Sequence, residues 1–216
     1  LEGGRHPRHF AFHLAGQVTG SRSIAVVPTT LANNVVATVN VLEAVTNASC
    51  DRVVLIGVST GATLALLLAT RPQWRDSLAA TILISPNLAP REAGAALLGG
   101  PWGRQIAWLG TGGEHAFEPV NADHARYWTT RYPSRVLAEM MALVVHVRAL
   151  EPDWVERPAL VFYSPRDTVI RAELVGAACA RASAWRCMAI TDANDPSQHV
   201  LAGDILSPDT TARTAA

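Results

Sequence analysis

Apolar residues fall along this chain in two rhythms. Short, mainly apolar runs recur at residues 53–56, 79–85, 158–164 and 185–190, each bounded by turn-forming or charged residues and each too short for a helix. An earlier run at 23–27 is closed by Pro28. Runs of this kind predict strands buried on both faces, as in a parallel sheet. Between them the spacing changes. Val35, Val39, Leu42 and Val45 recur at helical intervals behind Asn33 and Asn34, either of which suits a helix cap. An Ala/Leu segment runs from Gly61 to Ala69 and is closed by Arg71-Pro72, and a further helix is predicted over 172–182. Strand alternating with helix predicts an α/β fold around a mostly parallel sheet flanked by helices.

The alternation breaks between residues 87 and 157. That stretch holds Gly99-Gly100 and Gly112-Gly113, the aromatics Trp102, Trp108, Phe117, Tyr127 and Trp128, and a helix predicted over 133–150, with no strand expected. Some 70 residues are too many for an ordinary connection. They are read as a helical cap inserted over the carboxyl edge of the sheet, its aromatics lining an apolar pocket. Residues 1–216 then form a single domain with a cap insertion at about 87–157, ending in a polar, frayed tail.

Composition narrows the function classes. The chain of 216 residues is 49% hydrophobic and 17% charged, which suits one domain with a generous core. Eighteen basic residues balance eighteen acidic ones, so no overall field steers it to nucleic acid or an anionic membrane. All the basic residues are arginine, which removes lysine Schiff-base chemistry. Cys50, Cys179 and Cys187 lack metal-ligand spacing and are expected as reduced thiols without a zinc site. No apolar run reaches the roughly 20 residues of a spanning helix, and the first ten residues are unlike a signal peptide. A cytoplasmic protein without an integral membrane segment is expected. The chain begins with Leu1, so an upstream piece is left open.

The stretch RVVLIGVSTGATLALLLA, from Arg52 to Ala69, concentrates the candidate chemistry. A strand leads through Gly57-Val58-Ser59-Thr60-Gly61 into a helix, and a serine at the centre of such a turn stands out at the carboxyl edge of the sheet. A G-x-S-x-G match alone is weak; the flanking strand and helix are what strengthen it. A serine hydroxyl needs a histidine to take its proton and a buried carboxylate to orient that histidine. The chain order expected for this architecture is nucleophile, acid, histidine. Ser59, Asp167 and His199 follow that order, Asp167 three residues beyond the strand at 158–164 and His199 in the loop after the strand at 185–190. Asp192 and Asp195 are substitutes for the acid, better placed to shape the loop that carries His199. His115, His124 and His146 show no metal-ligand spacing, and neither a metal nor a cofactor is called for.

With IGVSTGATLAL at the elbow, FYSPRDTVI at the acid and SQHVLAGD at the histidine, the chain resembles α/β-hydrolases of the serine carboxylesterase, monoacylglycerol lipase and lysophospholipase group. The segment YPSRVLAEMMALVVHVRAL resembles the helix that precedes the acid strand in such esterases. The likeness covers about 23–204. It implies hydrolysis of a small-molecule acyl ester, of short to medium chain or monoacylglycerol-like, through an acyl-enzyme on Ser59. His199 serves as base and then acid, Asp167 orients it, and the Thr60 N–H supplies one donor of the oxyanion hole. Acyl transfer or amide cleavage on the same residues, or a truncated, non-catalytic binding protein, are the alternatives. In one respect the chain departs from the group. It has no His-Gly pair to supply the second oxyanion donor; Gly3-Gly4 lies about the right distance before the strand at 23–27 to be a remnant of that loop, but no strand is expected before it. The amino-terminal strands are therefore expected to be missing, with self-association through the exposed sheet edge as a consequence.

Overall fold

The computed structural model describes residues 52–74 and 76–215, and before them Asn40 and Glu43 alone. The strand predicted at 23–27, Gly3-Gly4, Cys50 and all of the helix predicted at 35–46 except those two helical positions lie outside the described residues. In chain order the described residues form β1 (Val53–Val58), α1 (Thr60–Ala69), β2 (Leu78–Ile84), α2 (Gly103–Thr111), β3 (Glu114–Ala116), α3 (Ala122–Tyr127) and β4 (Arg131–Pro133). There follow α4 (Arg135–Ala149), the single turn α5 (Glu151–Trp154), β5 (Ala159–Tyr163), α6 (Ala172–Arg181), β6 (Trp185–Ala189) and α7 (Pro208–Ala215).

The four apolar runs build one parallel sheet in the order β1-β2-β5-β6. The central strands β2 and β5 are covered on both faces, which is why their runs read as continuous and not alternating, whereas β1 and β6 alternate between covered and exposed positions. On one face Leu83, Ala159, Val161 and Trp185 pack against Ala62, Ala65 and Leu66 of α1, Val175 and Ala178 of α6, and Val147 and Trp154. On the other face Ile84 and Phe162 pack against Ile190, Ala193 and Leu201. That second cluster seats the segment after β6 over the carboxyl ends of β2 and β5. Farther out on the same face, Val54, Ile56 and Val58 of β1 are 50%, 64% and 46% exposed.

Four expectations need correction. The stretch between β2 and β5 is not wholly helical, because β3 and β4 pair antiparallel within it. Three residues each, EHA and RYP, are too few and too polar to leave a strand pattern. Its aromatics do not converge on a pocket: Trp102, Trp108, Tyr127 and Trp128 are 68%, 60%, 47% and 40% exposed. Helix α2 buries Gly103 and Ala107 instead, and sits so near Leu98 that a Cβ on Gly103 would lie 1.9 Å from the Leu98 carbonyl oxygen. The small residues face inward and the tryptophans outward. The polar tail is ordered as α7, with the Thr210 hydroxyl donating to the Leu201 carbonyl. Finally, Cys179 and Cys187 are not reduced thiols but a disulfide joining α6 to β6.

Candidate active site

Three chain segments meet at the carboxyl edge of the sheet. The first is the turn between β1 and α1. Ser59 carries φ 52 and ψ −120, a conformation that non-glycine residues avoid and that the surrounding structure must hold. Its N–H continues the sheet by donating to Ile84, and its carbonyl accepts from Ala62 and Thr63 in the first turn of α1. The side chain makes no helix-capping bond, so the hydroxyl is free to point elsewhere. Gly57 allows strand and helix to approach this closely, since a Cβ there would lie 2.5 Å from the Gly61 carbonyl oxygen. Gly61 itself has no such role: a Cβ on it would meet nothing within 4 Å.

The second segment follows β5. Asp167 is 1% exposed. Its Oδ1 accepts the N–H groups of Val169 and Ile170 at 2.8 and 3.0 Å, which fixes the plane of the carboxylate. Oδ2 is left to face His199 Nδ1 at 2.7 Å. A carboxylate only accepts, so Nδ1 carries the proton and Nε2 has its lone pair free. Nε2 lies 2.9 Å from Ser59 Oγ, whose hydroxyl donates to it. Asp167, His199 and Ser59, expected together from their order in the sequence, are thus joined in one hydrogen-bonded line.

The third segment, the loop carrying His199, is shaped by Asp195. Its Oδ2 accepts the N–H groups of His199 and Val200 at 2.9 and 2.8 Å and the Ser197 hydroxyl at 2.5 Å. Oδ1 accepts the Ser197 N–H. Burial pushes the Asp195 carboxyl up, but the hydroxyl and amide donors outweigh it and hold the group below the ordinary aspartate value. Asp192, the other substitute considered for the acid, is exposed and pairs with Arg213 at 2.8 Å. Neither approaches the ring of His199. Sequence reasoning missed Ser85, a fully buried residue at φ 46 whose hydroxyl donates to the His199 carbonyl at 2.6 Å. No local signal in the sequence marks a contact spanning 114 residues.

Thr60 opens α1, and the first turn of that helix carries no acidic side chain, so its positive end is left to act on an anion beside Ser59. Among the described residues no group of histidine, cysteine, aspartate or glutamate side chains is arranged to hold a metal ion. His124 is buried with its Nδ1 accepting the Val120 N–H, and His146 is exposed on α4.

A serine on a strained strand-to-helix turn, with an acid and a histidine following in that order at the same sheet edge, is the arrangement on which the alpha/beta hydrolases are built. The chain belongs to the alpha/beta hydrolase family, whose sequence profile matches residues 1–213. No match was found among curated protein sequences. Among solved structures, a metagenome-derived lipolytic enzyme is similar at TM-score 0.61 and 17% identity, over 85% of this chain and 70% of that one. A monoacylglycerol lipase of Paleococcus ferrophilus is similar at TM-score 0.55 and 14% identity, over 77% of this chain and 67% of that one. A soluble variant of the monoglyceride lipase of Saccharomyces cerevisiae, solved with a substrate analog, is similar at 0.57 and 10%, over 85% and 65%. The chain thus spans about two thirds of the length of these structures, and at such identities the likeness is one of fold.

Proposed function

We propose that the protein is a serine hydrolase that cleaves carboxylic esters of short to medium acyl chain, or monoacylglycerol-like esters, through an acyl-enzyme on Ser59. The observation that carries this reading is the unbroken line of hydrogen bonds from Asp167 through His199 to Ser59. Ser59 Oγ attacks the ester carbonyl carbon as His199 Nε2 takes its proton, and the resulting imidazolium is stabilised by Asp167. The oxyanion accepts the Thr60 N–H at the start of α1. Collapse expels the alcohol, which takes the proton from Nε2 and leaves the acyl group on Ser59. Water then attacks the acyl carbon, again giving a proton to Nε2. The acid departs and Ser59 recovers its hydrogen.

Residues 87–157 serve in this reading as the cap, and their modest length is what favours acyl chains shorter than those of long-chain triglycerides. The similar structures, a lipolytic enzyme and a monoacylglycerol lipase, favour an ester in place of an amide. Self-association through the apolar outer part of β1 belongs to the same reading and is measured by sedimentation. Among the described residues no helix is long and apolar enough to cross a membrane. Against the cytoplasmic setting expected from the sequence stands the Cys179–Cys187 bond, since disulfides persist where thiols are not kept reduced.

The deciding experiment is labelling with a fluorophosphonate probe alongside hydrolysis of p-nitrophenyl butyrate. The protein is expected to take the label and turn over the ester. Ser59→Ala is expected to lose the label and at least about 10³-fold in kcat. Labelling that persists in Ser59→Ala overturns the reading.

A further inference from the structure

The three segments of the site come from strand ends far apart in the chain, with Ser59 and His199 140 positions apart and Asp167 and His199 32 positions apart. One short segment touches all three. Leaving β2, residues 85–91 grip the main-chain carbonyl of each member in turn. The Ser85 hydroxyl donates to the His199 carbonyl at 2.6 Å. The Asn87 N–H donates to the Ser59 carbonyl at 3.3 Å. Arg91 Nε–H donates to the Asp167 carbonyl at 3.1 Å.

Each grip is backed by a second contact. Asn87 is held from α1 by the Thr63 hydroxyl, which donates to its carbonyl at 2.8 Å. The Arg91 N–H donates to the Val169 carbonyl and the Arg171 N–H to that of Ala89, at 2.9 and 2.8 Å, so the segment lies against the acid loop like a short strand. Ser85 is tied to β5 through its N–H, which donates to Phe162. Its left-handed φ of 46 turns the chain back over the elbow. Among the described residues, the non-glycine ones at positive φ, Ser59, Ser85 and Gln198, are the nucleophile, its neighbour in this frame and the residue just before His199. Strain of this kind persists only where the surroundings over-determine it.

Resting on the serine-hydrolase reading, we infer that residues 85–91 are the positioning frame of the site, with Ser85 setting the distance from base to nucleophile and Arg91 holding the acid. The bonded carbonyls take no part in bond making, so the frame orients the reacting groups without entering the chemistry. Asp195 holds the N–H of His199 and Ser85 holds its carbonyl, and with both made the ring cannot slide away from Ser59. Small displacements matter here, because a misplacement of about 1 Å can cost on the order of 10²-fold in rate.

The test uses Ser85→Gly, Arg91→Met and Arg91→Lys in the full chain. Glycine adopts a positive φ freely, so Ser85→Gly removes the hydroxyl and keeps the turn. It is expected to lower kcat on p-nitrophenyl butyrate by about 10- to 100-fold, with KM within about twofold and fluorophosphonate labelling slowed in parallel. The acid limb of its kcat/KM profile should also move, because His199 meets Asp167 differently. Arg91→Met, a change at a partly exposed side chain, is expected to lower kcat by about 3- to 10-fold. Arg91→Lys, which keeps a donor, should recover part of that loss. Thermal midpoints are measured alongside, and rates are taken well below them. Labelled wild type together with unchanged kcat and pH profile in Ser85→Gly and Arg91→Met overturns the frame and leaves the hydrolase reading standing. Wild type that takes no label and turns over no ester overturns both.

Discussion

Gly57 and Gly61 flank Ser59 symmetrically in sequence but not in space. A Cβ on Gly57 would press to 2.5 Å from the Gly61 carbonyl oxygen, while one on Gly61 would enter open space. The close approach of strand to helix therefore rests on Gly57. Gly57→Ala is expected to destabilise the protein by at least about 1–3 kcal/mol, the usual cost of an overpacked interior, and to displace the turn that carries Ser59. Gly61→Ala removes a glycine from the first turn of α1 and is expected to be neutral or stabilising, by up to about 1 kcal/mol. Urea unfolding of the two variants checks this, and equal losses in both would contradict it.

Asp195 shapes the histidine loop and not the proton relay, so its substitution should act on stability and rate together. Asp195→Asn keeps the shape but weakens the three bonds to the retained oxygen and loses the fourth, since an amide nitrogen cannot accept the Ser197 N–H, for an expected loss of about 1–3 kcal/mol. The acidity of this group predicts how the loss varies with pH. Its folded-state value is held below the ordinary one by the Ser197 hydroxyl and the amides of Val200, His199 and Ser197. The stabilisation is therefore complete above the unfolded-state value of about 3.9 and drains away as pH falls through the folded value. The gap in thermal midpoint between wild type and Asp195→Asn should be constant near neutrality and narrow below about pH 4. A gap that widens in acid would contradict this account of Asp195.

The Cys179–Cys187 bond closes a loop with a sequence separation of eight between the end of α6 and the middle of β6. A loop of that size is worth about 2–3 kcal/mol in the chain-entropy account. Reduction with dithiothreitol, or the double change Cys179→Ser and Cys187→Ser, is expected to lower unfolding free energy by that amount. Three cysteines are present in the sequence, so thiol titration of denatured, unreduced protein should find one free thiol. Three free thiols would mean the bond does not form.

How far the sequence could be read depended on whether a feature is local. The central strands were legible because cover on both faces leaves continuous apolar runs, such as ILI in β2 and ALVFY in β5. Ser59, Asp167 and His199 were legible because each lies in the loop or turn that follows such a run, and the sheet brings the strand ends to one edge. What was not legible depends on pairing across the chain. Neither Ser85 nor Arg91 differs in sequence from an ordinary turn residue, and their partners lie 114 and 76 positions away. The disulfide escaped for the same reason, its two cysteines falling on a helix and a strand whose docking no spacing rule encodes. The outward turn of Trp102 and Trp108 follows from the fit of Gly103 against Leu98, a contact that only the packed structure defines.

Asp167 offers the sharpest separation between architecture and chemistry. Its Oδ1 accepts the amides of Val169 and Ile170, and an asparagine oxygen can accept both, so Asp167→Asn should leave the loop in place. The other position, now an amide nitrogen, faces His199 Nδ1 as a donor. To accept from it, Nδ1 must lose its proton, and the neutral ring then carries its hydrogen on Nε2. In that tautomer Nε2 cannot take the proton of Ser59, although every heavy atom stays within hydrogen-bonding distance. Loss of the carboxylate charge also removes the stabilisation of the imidazolium. A fall in kcat of about 10³- to 10⁴-fold is expected near neutral pH, with KM and thermal midpoint little changed. At alkaline pH some activity should return as hydroxide replaces the missing base. A variant with unfolding and activity lost in step would place Asp167 in the architecture alone, and one retaining wild-type kcat would remove it from the relay.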